Sequence, residues 1–399
     1  MSTPGVPLLF FTALSWAMAL AWLWKGIASL IGMRKVTDLA RLPLESLPAL
    51  ADGTAPHLSV LIPACNEEAS IENTLLALAA SREIRLEIIA INDRSTDSTG
   101  ERIEALIARI TSPHTIRVLH IHELPPGWLG KPHALSVGVA AAKAPWLLFT
   151  DGDVHFEPEA LSRSLRWAYQ QQADHLAIPP AQQLRSFGEV IMFGTMNAFV
   201  PWSIRPWKIA DPNSRDSIGV GGFNMIRAET LEKLGGMQTL RMEVVEDLFL
   251  GKLVKKAGFA QRFALAPEWI SIHWLTGWLS ILKLTEKNGF AVCRYRISIA
   301  LAVTFGLLLN AVVPVIAAAM GGWLLASAAL MYLGIVLVYQ ANRRMSGVSP
   351  LAAIGFAPSA ALCAYAFLRS MIVTLKHDGV QWRGTFYPLK SLRRFIAGE

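Results

Sequence analysis

The chain has 399 residues, a net charge of +7, 53% hydrophobic residues and 17% charged ones. So apolar a chain is not a soluble domain throughout. Its basic excess flanks apolar runs without the aromatic-basic alternation of a nucleic-acid binder, so no nucleic acid is expected as a partner. Three widely spaced cysteines, Cys65, Cys293 and Cys363, form no disulfide or metal-ligand pattern, as suits a reducing compartment.

In chain order, the apolar run Leu8–Ile31 comes first. It has no basic n-region and no small-residue cleavage site, so residues 1–35 read as a transmembrane anchor rather than a signal peptide. Residues 36–56, with Pro43, Pro48, Gly53 and Pro56, read as a linker that opens a polar domain covering 36–273. From His57 strands and helices alternate: strand 58–63, helix 69–81, strand 86–91, helix 98–110, strand 116–121, helix 131–143, strand 145–150. This repetition predicts βαβ units and an α/β, mostly parallel, Rossmann-like sheet. Helices near 158–172, 186–200, 228–234 and 244–257 follow, with a short strand near 175–179 and a glycine-rich strand at 218–225. Residues 274–296 interleave Trp274, Trp278 and leucines with Lys283, Glu286 and Lys287. That pattern suits an amphipathic helix on a membrane surface, or equally one packed on the domain.

Ile297–Asn342 carries no charge and has the length of two crossings of about 20 residues each. Gly321-Gly322 is the hinge, giving spans near 297–320 and 323–340; Leu351–Leu375 is a further candidate, with Arg369 snorkelling near its end. Basic residues follow the anchor (Lys25, Arg34, Lys35), precede the second span (Arg294, Arg296) and follow the third (Arg343, Arg344). They predict a multi-pass protein of the cell inner (plasma) membrane with the polar domain cytoplasmic. The basic tail, 376–399, conflicts with this scheme, because three crossings after a cytoplasmic domain leave it outside. Either the tail breaks the charge rule, or 351–375 is re-entrant or lies in the interface, with Pro358 as a break point.

Acidic and polar clusters fall at strand ends. Asn66-Glu67-Glu68 follows the first strand, Asn92-Asp93 the second, and Asp151-Gly152-Asp153 the run Pro145–Thr150. In a parallel sheet those carboxyl ends share one edge, where a ligand binds. Asp151 and Asp153 suit a divalent cation, Mg2+ or Mn2+, that in turn holds a diphosphate. Asn66 and Glu67 suit a ribose or base, or else the cap and first turn of the next helix. Asp93 suits a pyrimidine N–H, while Ser95, Thr96 and Asp97 form the turn. Lys131, after Gly127-Trp-Leu-Gly130, stands at a helix N-terminus in a phosphate-binding arrangement. Glu246 and Asp247 are about 100° apart on a helix, so one of them is expected to face the site. A carboxylate there takes a proton from a hydroxyl, or complements the helix dipole.

In this order, Pro63–Glu67, Asn92–Asp97, Gly130-Lys131, Asp151–Asp153, Gly219–Asn224 and Glu246-Asp247 resemble the family 2 glycosyltransferases of the GT-A fold. The resemblance runs from about His57 to His273. It implies a nucleotide-diphosphate sugar donor, UDP-linked, and a divalent cation. It places Glu67, Asn92 and Asp93 at the nucleoside, Lys131 at the phosphates or the acidic pair, and Asp151 and Asp153 at metal and diphosphate. Asp247, with Glu246 beside it, becomes the catalytic base of an inverting transfer. The anchor, the later spans, Gly127–Lys131 and the tail Gln381–Tyr387 look like the membrane branch that glycosylates lipids, the ceramide glucosyltransferases and hopene- or carotenoid-associated bacterial enzymes. That implies a lipid acceptor, with Trp274, Trp278, Trp382 and Arg383 at the acceptor or membrane interface. The paired aspartates usual after the second strand are here Asn92-Asp93. The Gln-x-x-Arg-Trp motif of processive synthases is absent, which disfavours the alternative of a polysaccharide synthase. A non-catalytic membrane scaffold is the remaining alternative.

Overall fold

A computed structural model describes residues 6–43, 47–50 and 53–398. The first five residues of the expected anchor, residues 44–46 and 51–52 of the expected linker, and the last residue of the tail lie outside the described residues. At the centre is an eight-stranded sheet. Across it the strands run Thr37–Asp38, Gln261–Leu265, His175–Ala177, Asn224–Arg227, Trp146–Phe149, Leu58–Ala64, Leu86–Asp93 and Thr115–Ile121. Only Asn224–Arg227 runs antiparallel to both neighbours; the other pairings are parallel.

The central strands are apolar runs because both faces are covered. Val60 and Ile62 enter one core with Ile88 and Leu148, while Leu61 enters the opposite core with Ile89, Ile91 and Phe149. Side chains alternate along a strand, so neighbouring residues feed opposite layers. The register sets Ala64 beside Asn92 and Leu61 beside Phe149, which brings the ends of three strands to one edge.

Three expectations are corrected, and the tail gains a fold. The segment 36–56 is more than a linker: Thr37–Asp38 joins the sheet edge, and Leu39 and Leu47 are buried in the core. The glycine-rich strand shrinks to Asn224–Arg227, and residues before it form a loop. Within 274–296 the helix is confined to Ser280–Val292. The tail is structured, as a hairpin of Gly379–Trp382 with Thr385–Pro388 followed by the helix Leu389–Ala397. The hairpin turn is Arg383-Gly384, both at positive φ (47° and 77°), a conformation glycine adopts without strain.

Among the described residues four helices are long and apolar enough to cross a membrane: Val6–Met33, Ile297–Met320, Gly322–Ser346 and the stretch Pro350–Lys376. The first and third run in the same direction. Ser15 and Ser327 hydroxyls lie 2.6 Å apart, a Cβ on Gly334 would meet the backbone of Trp22 at 2.4 Å, and Arg344 at the far end pairs with Asp38. Small residues permit this close backbone approach. Pro358 breaks nothing, since it sits in the first turn of a continuous helix, Phe356–Lys376.

Candidate active site

Lys131 occupies the first turn of the helix Gly130–Ala141. Its Nζ lies 2.7 Å from Asp151 Oδ1 and 2.8 Å from Glu246 Oε1, with the lysine side chain 15% exposed and that of Glu246 7%. Asp247 completes the group. A Cβ built on Gly221 would lie 3.1 Å from Asp151 Oδ2, 3.3 Å from Asp247 Oδ2 and 3.6 Å from Lys131 Nζ, so these groups converge on one glycine. Both Glu246 and Asp247 therefore face the cleft, contrary to the one-sided expectation. They open the helix Glu246–Lys256, and at a helix end adjacent side chains can both rim the terminus.

The charges divide the carboxyls. Burial alone would lower the Lys131 ammonium, but Asp151, Glu246 and Asp247 more than reverse this and lift it far above the usual lysine range. Burial acts to raise Asp151, yet the bonded Lys131 brings it below the ordinary carboxylate value. Asp247 goes the other way, pushed up to about 6 by burial and then by the charge of Glu246. Desolvation, then Asp151 and Glu67, push Asp153 up to about 6 as well. Environments that drive neighbouring carboxyls apart mark distinct acid–base roles.

The wall beneath Asp247 is held by backbone contact. A Cβ on Gly219 would come within 1.7 Å of the Asp247 carbonyl oxygen, and one on Gly251 within 2.0 Å of the Ile218 carbonyl oxygen. A buried polar chain fixes this loop. Gln261 accepts from Ile218 N–H and donates to the Ile218 and Gly251 carbonyls and to His175 Nδ1. His175 Nε2 donates to Asn224, whose Nδ2 reaches the Asp247 carbonyl at 3.4 Å. Burial holds the His175 imidazole down at about 4, hence neutral in this tautomer at neutral pH. We expect Gly219→Ala to lower activity about a hundredfold through displacement of Asp247, with the assay read beside a melting curve.

The remaining candidates lie around this centre. Glu67 flanks Gly152 and accepts from Arg383 of the hairpin at 2.8 Å. Asp93 is buried, with both carboxylate oxygens taken by Arg94 at 2.7 and 3.1 Å. Asn92 points to the opposite face, as strand alternation requires, against Gly100 and His120. Asn66 does not cap the helix Ile71–Ala79; its Oδ1 accepts from Thr96 N–H at 2.8 Å and so pins the Asp93–Thr99 turn. The hairpin adds contacts invisible in the sequence: Arg94 donates to Thr385 at 3.3 Å, Gly130 N–H to Tyr387 at 3.2 Å, and Lys287 Nζ sits 3.8 Å from the Trp382 ring. Trp274 and Trp278 are exposed, 37% and 41%, on a segment that Glu189 anchors by accepting from Gly277 N–H.

Among the described residues no three His, Cys, Asp or Glu side chains gather as a complete metal cage. Asp153 forms no ion pair with a cation, and its carboxyl is crowded by Asp151 and Glu67. Uncompensated carboxylate charge of this kind fits a hard cation that takes its other ligands from substrate phosphates and water.

Residues 59–235 match the family described as Glycosyl transferase family 2. Those residues are a family 2 glycosyltransferase domain. The probable glycosyltransferase YdaM of Bacillus subtilis is 35% identical over 255 residues, covering 60% of this chain and 57% of its own. An uncharacterized glycosyltransferase of Haemophilus influenzae is 26% identical over 204 residues, 51% of this chain and 63% of its own. The alignments thus span less than two thirds of either relative. Among solved structures, the mannosyltransferase PcManGT of Pyrobaculum calidifontis, in complex with GDP-Man and Mn2+, superposes with a TM-score of 0.51 at 16% identity, covering 92% of this chain and 99% of that one. At that identity the likeness concerns the fold, a GT-A-like sheet with mostly parallel strands.

Proposed function

We propose that this chain is a membrane glycosyltransferase that moves one sugar from a nucleotide-diphosphate sugar to the hydroxyl of a lipid, with inversion. The observation that carries this reading is the convergence of Lys131, Asp151, Glu246 and Asp247 on Gly221, inside a family 2 domain joined to apolar helices. Glu246 is engaged by Lys131, whereas among the described residues Asp247 forms no ion pair and is more basic than an ordinary carboxylate, so Asp247 takes the acceptor proton. The acceptor oxygen attacks the anomeric carbon as the diphosphate leaves from the opposite face. Lys131 keeps Asp151 ionised and fixes the spacing of the two carboxylate walls. Asp151 and Asp153 would hold a divalent cation, which supplies charge stabilisation for the departing diphosphate. The structural relative is in complex with GDP-Man and Mn2+, in keeping with such a donor and cation.

The test uses full-length protein with labelled UDP- and GDP-sugars and a lipid extract. The expected result is one organic-phase product that Asp151→Ala abolishes. Label confined to an aqueous polymer ladder, or activity unaffected by Asp151→Ala, contradicts the reading.

A membrane arrangement is proposed from the contacts. The hairpin touches Glu67, Arg94 and Gly130, so tail and domain share one side, which we assign as cytoplasmic. The stretch Pro350–Lys376 has both ends on domain-side helices: Gly355 against Ile191, and Ser370 bonded to Phe290 N–H and the Glu286 carbonyl. We propose that it lies along the domain face of the membrane without crossing, so that three helices cross. Alkaline phosphatase fused after Gly321 is expected to be active outside, and the same fusion at the C-terminus inactive. An active C-terminal fusion contradicts the assignment.

A further inference from the structure

Lys287 stands on the helix Ser280–Val292, outside the family 2 domain, and is half-buried. Its ammonium rests on the face of Trp382, 3.8 Å from the ring centroid. Among the described residues it has neither an ion pair nor a hydrogen bond. Asp151 and Glu246 are near enough to act on it electrostatically, as are Lys131 and Arg383. Yet both carboxylates are bonded to Lys131. Burial, together with the nearby cations, brings the Lys287 ammonium down to about 8, still charged at neutral pH. A partly desolvated ammonium with three unused donors is costly unless an anion completes it. The Trp382 ring fixes its position but accepts no hydrogen bond of comparable strength. Arg383 adjoins it, with its guanidinium carbon 5.9 Å from the same ring centroid.

This places two cations, one from an interfacial helix and one from the C-terminal hairpin, at the mouth of the carboxylate cleft. Lys131, the lysine that the sequence offers for phosphate, is already committed to two carboxylates. We propose that Lys287, supported by Arg383, binds a phosphate group at the seam between the domain and the C-terminal hairpin. The proposal rests on the glycosyltransferase reading for the location of the donor. The phosphate is supplied by the donor's diphosphate or by a phosphorylated lipid headgroup. Both present anionic phosphate oxygens, and trimming Lys287 removes the same contact.

The experiment compares full-length wild type, Lys287→Met and Lys287→Arg in detergent by titration calorimetry, with melting curves confirming equal folding. The probes are UDP, GDP and pyrophosphate with Mn2+, and separately short-chain phosphatidic acid against short-chain phosphatidylcholine. Lys287→Met is expected to weaken one class of phosphate probe about tenfold or more, and Lys287→Arg to keep part of the affinity. Weakening of the nucleotides and pyrophosphate assigns the donor as source; weakening of phosphatidic acid alone assigns the lipid. Equal affinity of Lys287→Met and wild type for every phosphate probe overturns the proposal. If wild type binds neither UDP nor GDP while phosphatidic acid binding still depends on Lys287, the donor reading fails and the phosphate site stands.

Discussion

Asp247→Asn is expected to lower kcat about a thousandfold while leaving nucleoside diphosphate affinity within about twofold of wild type. The amide keeps the shape and the hydrogen bond from Leu248 N–H, 2.7 Å from Asp247 Oδ1, but cannot take a proton. The pH profile separates this from a structural effect. A carboxyl pushed up to about 6 by burial and by Glu246 is protonated below that pH and therefore useless as a base there. Wild-type kcat should fall about tenfold per unit on the acid side of this value. The residual activity of Asp247→Asn should lack that acid limb. A variant with unchanged kcat, or one that keeps the limb, removes Asp247 from the base role. Asp153 titrates in the same range, so the limb is read by comparing variants rather than from its midpoint alone.

Lys131→Met carries the largest expected effect on stability. Glu246 is 7% exposed, and its partner Lys131 is the only cation bonded to it among the described residues. Removing one member of a buried ion pair leaves the other charged or forces it to protonate, at a cost of about 3–5 kcal/mol. The charge on Asp151 is 35% exposed and recovers part of its solvation from water, so Glu246 dominates the loss. Adding Glu246→Gln to Lys131→Met should restore about half of the lost stability, because Glu246 is then no longer an unpaired buried charge. Chemical denaturation in detergent checks this. If the single and double variants unfold alike, the pair is not what holds the cleft together.

The sheet was legible because its strands are apolar on both faces and each ends in a polar cluster, as Leu58–Ala64 before Asn66-Glu67 and Trp146–Phe149 before Asp151 show. The turn at Asn66 was half legible: its polar residues were visible, but its hydrogen bond to Thr96 comes from a residue thirty positions away. The loop before Asn224 was misread as strand because glycines placed for close approach to Asp247 and Asp151 look, in one dimension, like a weak extended run. Glu246 and Asp247 were expected about 100° apart with only one facing the site, but the cleft lies at the helix N-terminus, which both side chains rim. The buried His175–Gln261 pair had no signal, because its members are 86 positions apart. Lys287 suited a membrane-surface helix and one packed on the domain equally, since nothing in its neighbourhood announces that Trp382 folds back over it. With Pro350–Lys376 lying along the membrane face, as proposed above, the basic tail no longer conflicts with the charge rule. The end of that stretch at Ser370, bonded to Phe290 and Glu286, is a tertiary fact that hydropathy does not contain.

The account rests on the cleft around Gly221 being the place where a nucleotide sugar binds. An electron cryo-microscopy structure of the full chain with saturating nucleoside diphosphate and Mn2+ tests this most directly. The predicted result is a diphosphate at the carboxyl edge of the sheet, bounded by Asp151, Asp153 and Lys287, with Asp247 across the cleft. Nucleotide bound elsewhere on the molecule, with Lys131, Asp151, Glu246 and Asp247 left untouched, would contradict it.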